Sequence, residues 1–285
     1  MAQFKDWLRD STDLLERAGV GTARLDVLVL LEDITGRDRS WLLAHPELEL
    51  SSAQTAKLEK LLKRRARHEP LAYLRGRSEF YGREFVLTPA VLEPRPESEA
   101  MIELLKALPV FSPAKPVLDM SAAKRGATLR IADVGTGSGV LGITAKLELP
   151  RTTVDLLEID PAALKVAKTN VDKFTLNINV IKSDLLTASR QNYDILLCNL
   201  PYVPDDYQIN RAATHEPRLA IFGGSDGLDV YRKLFKQIRQ LKKQPLYILT
   251  EALPPQHAIL AELAEQSGYR LAAIDDFIQV FERAG

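Results

Sequence analysis

The chain has one cysteine, Cys198, among its 285 residues, so no disulfide can form within it. It has no excess of either charge. Thirty-eight Lys and Arg balance 38 Asp and Glu, leaving no overall field to attract nucleic acid or an anionic membrane, although a local patch could do so. The 4 histidines are scattered without zinc-ligand spacing, and no metal site is expected. Long apolar runs are also missing: the most apolar, "VLVLLEDI", is too short to span a bilayer. The opening "MAQFKDWLRDSTDLLERAG" carries both charge signs on an amphipathic period, unlike the basic end and apolar centre of a signal peptide. A reducing cytoplasm is therefore the expected setting, with no membrane partner. What remains is ordinary for a soluble globular protein: 46% of the residues are hydrophobic, enough to bury a core.

Two rhythms divide the sequence. Residues 1–75 place apolar side chains three and four apart in "FKDWLRDSTDLLERAG", "ARLDVLVLLEDITG" and "SAQTAKLEKLLKRRARH", which predicts a small all-helical domain. Residues 76–90 contain "SEFYGREFVL", whose alternation around Gly82 predicts a β-hairpin linker. From there to residue 285 a helix in "PRPESEAMIELLKAL" and a periodless stretch, "VFSPAKPVLDMSAAKRGAT", precede a regular alternation. Strands are predicted in "LRIADV", "TTVDLLEI", "INVIKSD", "YDILLCN", "PLYILTEA" and "YRLAAIDDFIQVF", with helices between them. Such alternation implies an α/β domain, a largely parallel sheet covered by helices on both faces.

Polar and glycine-rich residues gather where these strands end. "ADVGTGSG" sets Gly135, Gly137 and Gly139 in the turn from the first strand into a helix, where missing side chains let a ligand approach the backbone. Gly137, Gly139 and Gly142 also satisfy the dinucleotide pattern G-x-G-x-x-G, but in that reading Gly135 follows the strand directly and the third position falls on Val140. Glycines alternating from 135 suit S-adenosylmethionine, which has no pyrophosphate; a turn that uses glycine for geometry alone is the plain alternative. Glu158 closes the second strand within reach of a nucleoside's ribose hydroxyls, whereas Asp160, just before Pro161, suits a helix cap. Asp184, after the third strand, is either an adenine acceptor or a turn residue.

The stretch "NLPY" follows the next strand. Its residues match the needs of methyl transfer to a planar NH2, whose lone pair is delocalised and must become tetrahedral to attack a sulfonium methyl. The Asn199 oxygen and the Leu200 carbonyl can each accept one N–H, Tyr202 can stack on the flat target, and Pro201 stiffens the turn. A strand-ending Asn-Pro turn is the plain alternative. Adenine and glutamine both offer such a nitrogen. The cluster "KRRARH" at 63–68 reads either as a solvated helix end or as a docking surface for an RNA-like or acidic partner.

Together these motifs resemble the release-factor glutamine N5-methyltransferases, the PrmC/HemK family, over nearly the whole chain. The similar segments are "RRARHEPLAYLRGRSEFYGREFVLTPAVLEPRPESEAMIE", "DVGTGSGVLGI", "NLPY" and "HEPRLAIFGGSDGLDVYRKL". Leu200 stands where the family usually has proline, and the closing "DDFIQVFERAG" lacks the family's G-R-D-R ending. The resemblance implies a Rossmann-like class I methyltransferase domain behind a helical domain that docks the substrate. It implies S-adenosyl-L-methionine bound by Gly135, Thr136, Gly137, Ser138, Gly139, Glu158, Asp184, Leu185 and Asn199. Asn199, Leu200, Pro201 and Tyr202 would be catalytic and hold the substrate, with Arg95 and Glu97 beside them. The implied substrate is the glutamine of the Gly-Gly-Gln tip of peptide-chain release factors, methylated by a monomeric enzyme without stable nucleic-acid binding. An adenine N6-methyltransferase acting on RNA or DNA shares "NLPY"; a non-catalytic nucleoside-binding module is the third reading.

Overall fold

The computed structural model describes residues 2–111, 128–188 and 191–285. Most of the periodless stretch "VFSPAKPVLDMSAAKRGAT" therefore lies outside the described residues. The chain divides into two compact units, one of residues 1–77 with 209–215, the other of residues 78–208 and 216–285.

The first unit is helical: α1 (Phe4–Arg17), α2 (Ala23–Thr35), α3 (Arg39–Ala44), α4 (Ser52–Arg65) and α5 (Leu71–Arg75), with two-residue strands β1 (Ala2–Gln3) and β2 (Glu49–Leu50) paired antiparallel. In α1 the helical spacing of Phe4, Trp7, Leu8 and Leu15 gives one buried face, which packs with Val27, Leu30 and Leu31 of α2 and Leu58 and Leu62 of α4. Helix α2 stops at Gly36, whose left-handed φ of 68° releases the chain, and Ser51 with Gln54 forms a capping box at the start of α4. The segment 209–215 joins this unit through His215 Nε2, 3.0 Å from the Arg67 carbonyl, and Arg211 Nη1, 3.3 Å from His68 Nε2.

The structure alters the reading of the basic cluster. Arg64 pairs with Glu69, and Arg65 Nε lies 2.6 Å from Asp26 Oδ2, so two of its cations are spent within the unit. Lys63 and Arg67 remain exposed.

The second unit opens with the hairpin β3 (Arg77–Phe80) and β4 (Arg83–Val86). Tyr81 and Gly82 both have positive φ, the mirror-image turn that matches strand twist. After α6 (Glu99–Lys106) come β5 (Arg130–Val134), α7 (Val140–Glu148), β6 (Thr153–Glu158), α8 (Pro161–Lys173), β7 (Asn179–Lys182) and β8 (Ile195–Cys198). Then follow α9 (Arg218–Ile221), α10 (Asp229–Arg239), β9 (Tyr247–Glu251), α11 (His257–Glu265), β10 (Tyr269–Asp275) and β11 (Ile278–Arg283). The seven-stranded sheet has the order β10-β11-β9-β8-β5-β6-β7. Its β9-β8-β5-β6-β7 part is parallel; β11 runs antiparallel to both of its neighbours. One face is covered by α6, α7 and α8 and the other by α10 and α11, each around its own buried cluster.

One strand reading is corrected. "YRLAAIDDFIQVF" is not one strand but the hairpin β10–β11, turning at Asp276 with φ 46°. Without glycine or proline to mark it, the turn is hidden in a β-prone run; aspartate tolerates the left-handed conformation.

Strand order reverses at β5, whose successors run outward on one side through β6 and β7 and on the other through β8 and β9. In such sheets the crevice beyond the carboxyl ends at the reversal is where ligands bind. Register fixes what meets there. Asp133 is level with Leu197 and Cys198 with Thr250, so Gly135, Asn199 and Glu251 emerge side by side.

The Arg65–Asp26 pair gives a stability test. Their side chains are only 12% and 5% exposed. Arg65→Ala leaves a buried carboxylate unpaired and should cost about 3 kcal/mol in urea unfolding, whereas an apolar replacement of both partners should recover most of that loss.

Candidate active site

The glycine turn is built by backbone geometry. Gly135 and Thr136 donate to the Leu157 carbonyl at 2.8 and 3.0 Å, drawing the turn across the end of β6. Gly135, Gly137 and Gly139 have φ of 71°, 56° and 88°. A side chain at Gly137 would meet nothing within 4 Å, so its open side faces free space. Gly139 and Gly142 do different work: a Cβ at Gly139 would lie 3.0 Å from Ile143 Cδ1, and one at Gly142 would lie 2.3 Å from Leu156 Cδ2. Those two let α7 settle on the sheet.

Two carboxylates hold the turn. Asp133 Oδ2 accepts from Thr136 Oγ1 at 2.5 Å and from the Gly142 amide at 2.8 Å. Burial pushes Asp133 up to about 6, against the opposing pull of those two donors. Glu158 accepts from the amides of Gly137, Ile159 and Asp160 at 2.9, 2.8 and 3.0 Å, joining the ends of β5 and β6. Asp160 caps α8 by accepting from the Ala162 amide, as its place before proline suggests. The buried Asn170 amide donates to the Ser138 and Val86 carbonyls and accepts from the Val86 amide, tying the turn to the end of β4. Asp184 pairs with Lys233 Nζ, while Leu185 takes a left-handed φ of 53°.

A cavity of about 250 Å³ opens beside this turn. Gly135, Thr136, Gly137, Ser138, Glu158, Asp184 and Leu185 line it, together with Asn199, Leu200, Pro201 and Arg95. Gly139, Glu97 and Tyr202 do not. Arg95 is held by Glu216, whose oxygens lie 2.7 and 2.8 Å from Nη2, with Glu93 at 4.0 Å; Glu97 is exposed.

At the end of β8, the Asn199 Nδ2 donates to Glu251 Oε2 at 2.9 Å and to Ser98 Oγ at 3.0 Å. Ser98 Oγ donates to the same Glu251 oxygen at 2.6 Å, and the Tyr202 hydroxyl donates to Oε1 at 3.1 Å. Glu251 is 1% exposed. Burial raises its pKa, while the Ser98, Tyr202 and Asn199 donors pull the other way. Burial beside Glu251 likewise pushes the Tyr202 phenol up. Below the motif, Tyr231 donates its hydroxyl to the carbonyls of Cys198 and Glu251 at 2.8 and 2.6 Å. On the far side, Gln256 Nε2 donates to the Tyr202 carbonyl at 2.7 Å, and a Cβ at Gly227 would lie 2.0 Å from that oxygen.

Sequence reading missed Ser98, Asp133, Glu216, Tyr231, Glu251 and Gln256. For Glu251 a signal existed: it is the last residue of a strand that ends beside Asn199, the rule that singled out Asn199 itself.

Comparison with known proteins agrees with this architecture. Residues 6–76 match the model of the PrmC N-terminal domain and residues 116–216 that of the Methyltransferase small domain. Among solved structures, the hMettl16 catalytic domain in complex with MAT2A 3'UTR hairpin 1 shares the fold, with a TM-score of 0.54, 16% identity, and coverage of 84% of this chain and 82% of that one. The release factor glutamine methyltransferase of Coxiella burnetii is 35% identical over 252 residues, 87% of this chain and 86% of the relative. That of Koribacter versatilis is 34% identical, over 83% and 81% respectively. The chain belongs to the release factor glutamine methyltransferase family.

Asp133 offers a test with a defined sign. Because its pKa rises from 3.8 to about 6 on folding, the native state holds the proton more tightly, and this group's contribution to stability falls as pH rises from about 4 to about 6. Asp133→Asn cannot ionise. Its stability relative to wild type should therefore improve by about 2 kcal/mol between pH 4.5 and pH 7.5, measured by urea unfolding at those two values. A pH-independent difference would contradict the assignment.

Proposed function

We propose that the chain transfers one methyl group from S-adenosyl-L-methionine to the side-chain amide nitrogen of the glutamine in the Gly-Gly-Gln tip of a peptide-chain release factor. The observation that carries this reading is the placement of Asn199 and the Leu200 carbonyl beside the open glycine turn, in a chain of this family. The residues fit the cofactor. Free space at Gly137 admits a ligand against the backbone, and Glu158 lines that space with its carboxylate already fixed by three amides. When bound, S-adenosyl-L-methionine supplies a methyl on a sulfonium.

This chain's own residues position the acceptor. The Asn199 oxygen and the Leu200 carbonyl take one N–H each, drawing the amide nitrogen away from planarity and directing its lone pair. Neither acceptor receives a hydrogen bond among the described residues. Leucine in place of proline keeps the carbonyl. Once alkylated, the nitrogen loses its proton readily, so no strong base is required. The helical domain, residues 1–75, docks the intact protein substrate and takes no part in the chemistry.

Charge near the motif favours a protein over a polynucleotide. Arg95 is neutralised by Glu216, and Glu93 and Glu97 add negative charge that a phosphate backbone would have to approach.

The test is incubation of the purified enzyme with methyl-labelled cofactor and either a release factor or ribosomal RNA. Label should enter the release factor alone, at a glutamine side chain. At saturating cofactor, Asn199→Ala should slow single-turnover transfer by about 100- to 1,000-fold. Label in RNA alone would reject the reading.

A further inference from the structure

The geometry points to Glu251 as a positioning residue that fixes which end of the Asn199 amide faces the methyl acceptor. The inference rests on the function proposed above. An asparagine side chain is nearly symmetrical in shape, and its two orientations differ only in where the donor and acceptor lie. An ionised carboxylate only accepts hydrogen bonds. With Glu251 Oε2 at 2.9 Å, only the NH2 end of Asn199 can face inward, because the reverse orientation would set two acceptor oxygens against each other.

The environment holds Glu251 to this role. Ser98 and Asn199 donate to one oxygen and Tyr202 to the other, and all three contacts suit the acceptor-only form. Ser98 Oγ spends its proton on Glu251 and therefore meets Asn199 as an acceptor, so it reinforces the same orientation. The outward end of Asn199 is then its oxygen, the group needed to receive an N–H from a planar amide. The same carboxylate ties down Tyr202, so one buried charge sets both ends of "NLPY".

Two measurements on the full-length enzyme test the positioning role, and they fail separately. The first is the side-chain amide spectrum of enzyme labelled with 15N-asparagine, assigned by its loss in Asn199→Ala. In wild type the Asn199 amide protons should be shifted downfield and exchange slowly, and in Glu251→Gln they should not. The second is cofactor-saturated single-turnover methylation of a release factor. Glu251→Gln should be at least tenfold slower with cofactor affinity within twofold, and Glu251→Gln in an Asn199→Ala background should be no slower than Asn199→Ala alone. A wild-type rate in Glu251→Gln, or a multiplicative loss in the double variant, would overturn the inference. If Glu251→Gln fails to fold, the wild-type spectrum decides: fast-exchanging Asn199 protons at ordinary shifts overturn it. Absence of methylation by wild type would instead refute the function, leaving the spectral result to stand for the geometry.

Discussion

Placing a carboxylate inside a protein is costly unless donors surround it, and at Glu251 that requirement shapes the whole end of the sheet. Three side chains from three segments converge on it: Ser98 ahead of α6, Asn199 beyond β8 and Tyr202 in the following turn. Each gives up its freedom to satisfy one charge. Tyr231 adds a second tie beneath, its hydroxyl shared between the carbonyls that end β8 and β9. The motif is thus held from behind, and Asn199, Leu200 and Pro201 line the cavity.

The glycine-turn end of the crevice uses the same device. Asp133 and Glu158 spend their oxygens on backbone amides of the glycine turn, which would otherwise be flexible. Preorganisation suits the methyl transfer proposed above, which asks for little acid–base chemistry and a great deal of alignment. Rigid strand ends, set in register by the parallel ladder, bring Gly135, Asn199 and Glu251 abreast.

Much of this was legible in the sequence because it is local. Helical spacing revealed α1, α2 and α4, alternation revealed the hairpin about Gly82, and apolar runs located the strands whose ends carry Gly135, Glu158 and Asn199. What the sequence hid is long-range or unmarked. Glu251 ends an apolar strand and resembles an ordinary solvent-facing terminus; its partners stand 52 and 153 residues away. Arg65 looks like one more charge in a basic run until Asp26, 39 residues earlier, is found against it. The turn at Asp276 carries no glycine, so the β10–β11 hairpin reads as a single strand.

The claim on which the rest depends is that Asn199 presents its oxygen, and Leu200 its carbonyl, to a glutamine amide. A crystal structure of the enzyme with S-adenosylhomocysteine and a glutamine-bearing release-factor domain tests it most directly. The expected result is the glutamine side-chain nitrogen within about 3.2 Å of both acceptors, with its open face toward the sulfur. A glutamine whose carbonyl, rather than its nitrogen, meets Asn199, or one seated away from the end of β8, would contradict the account.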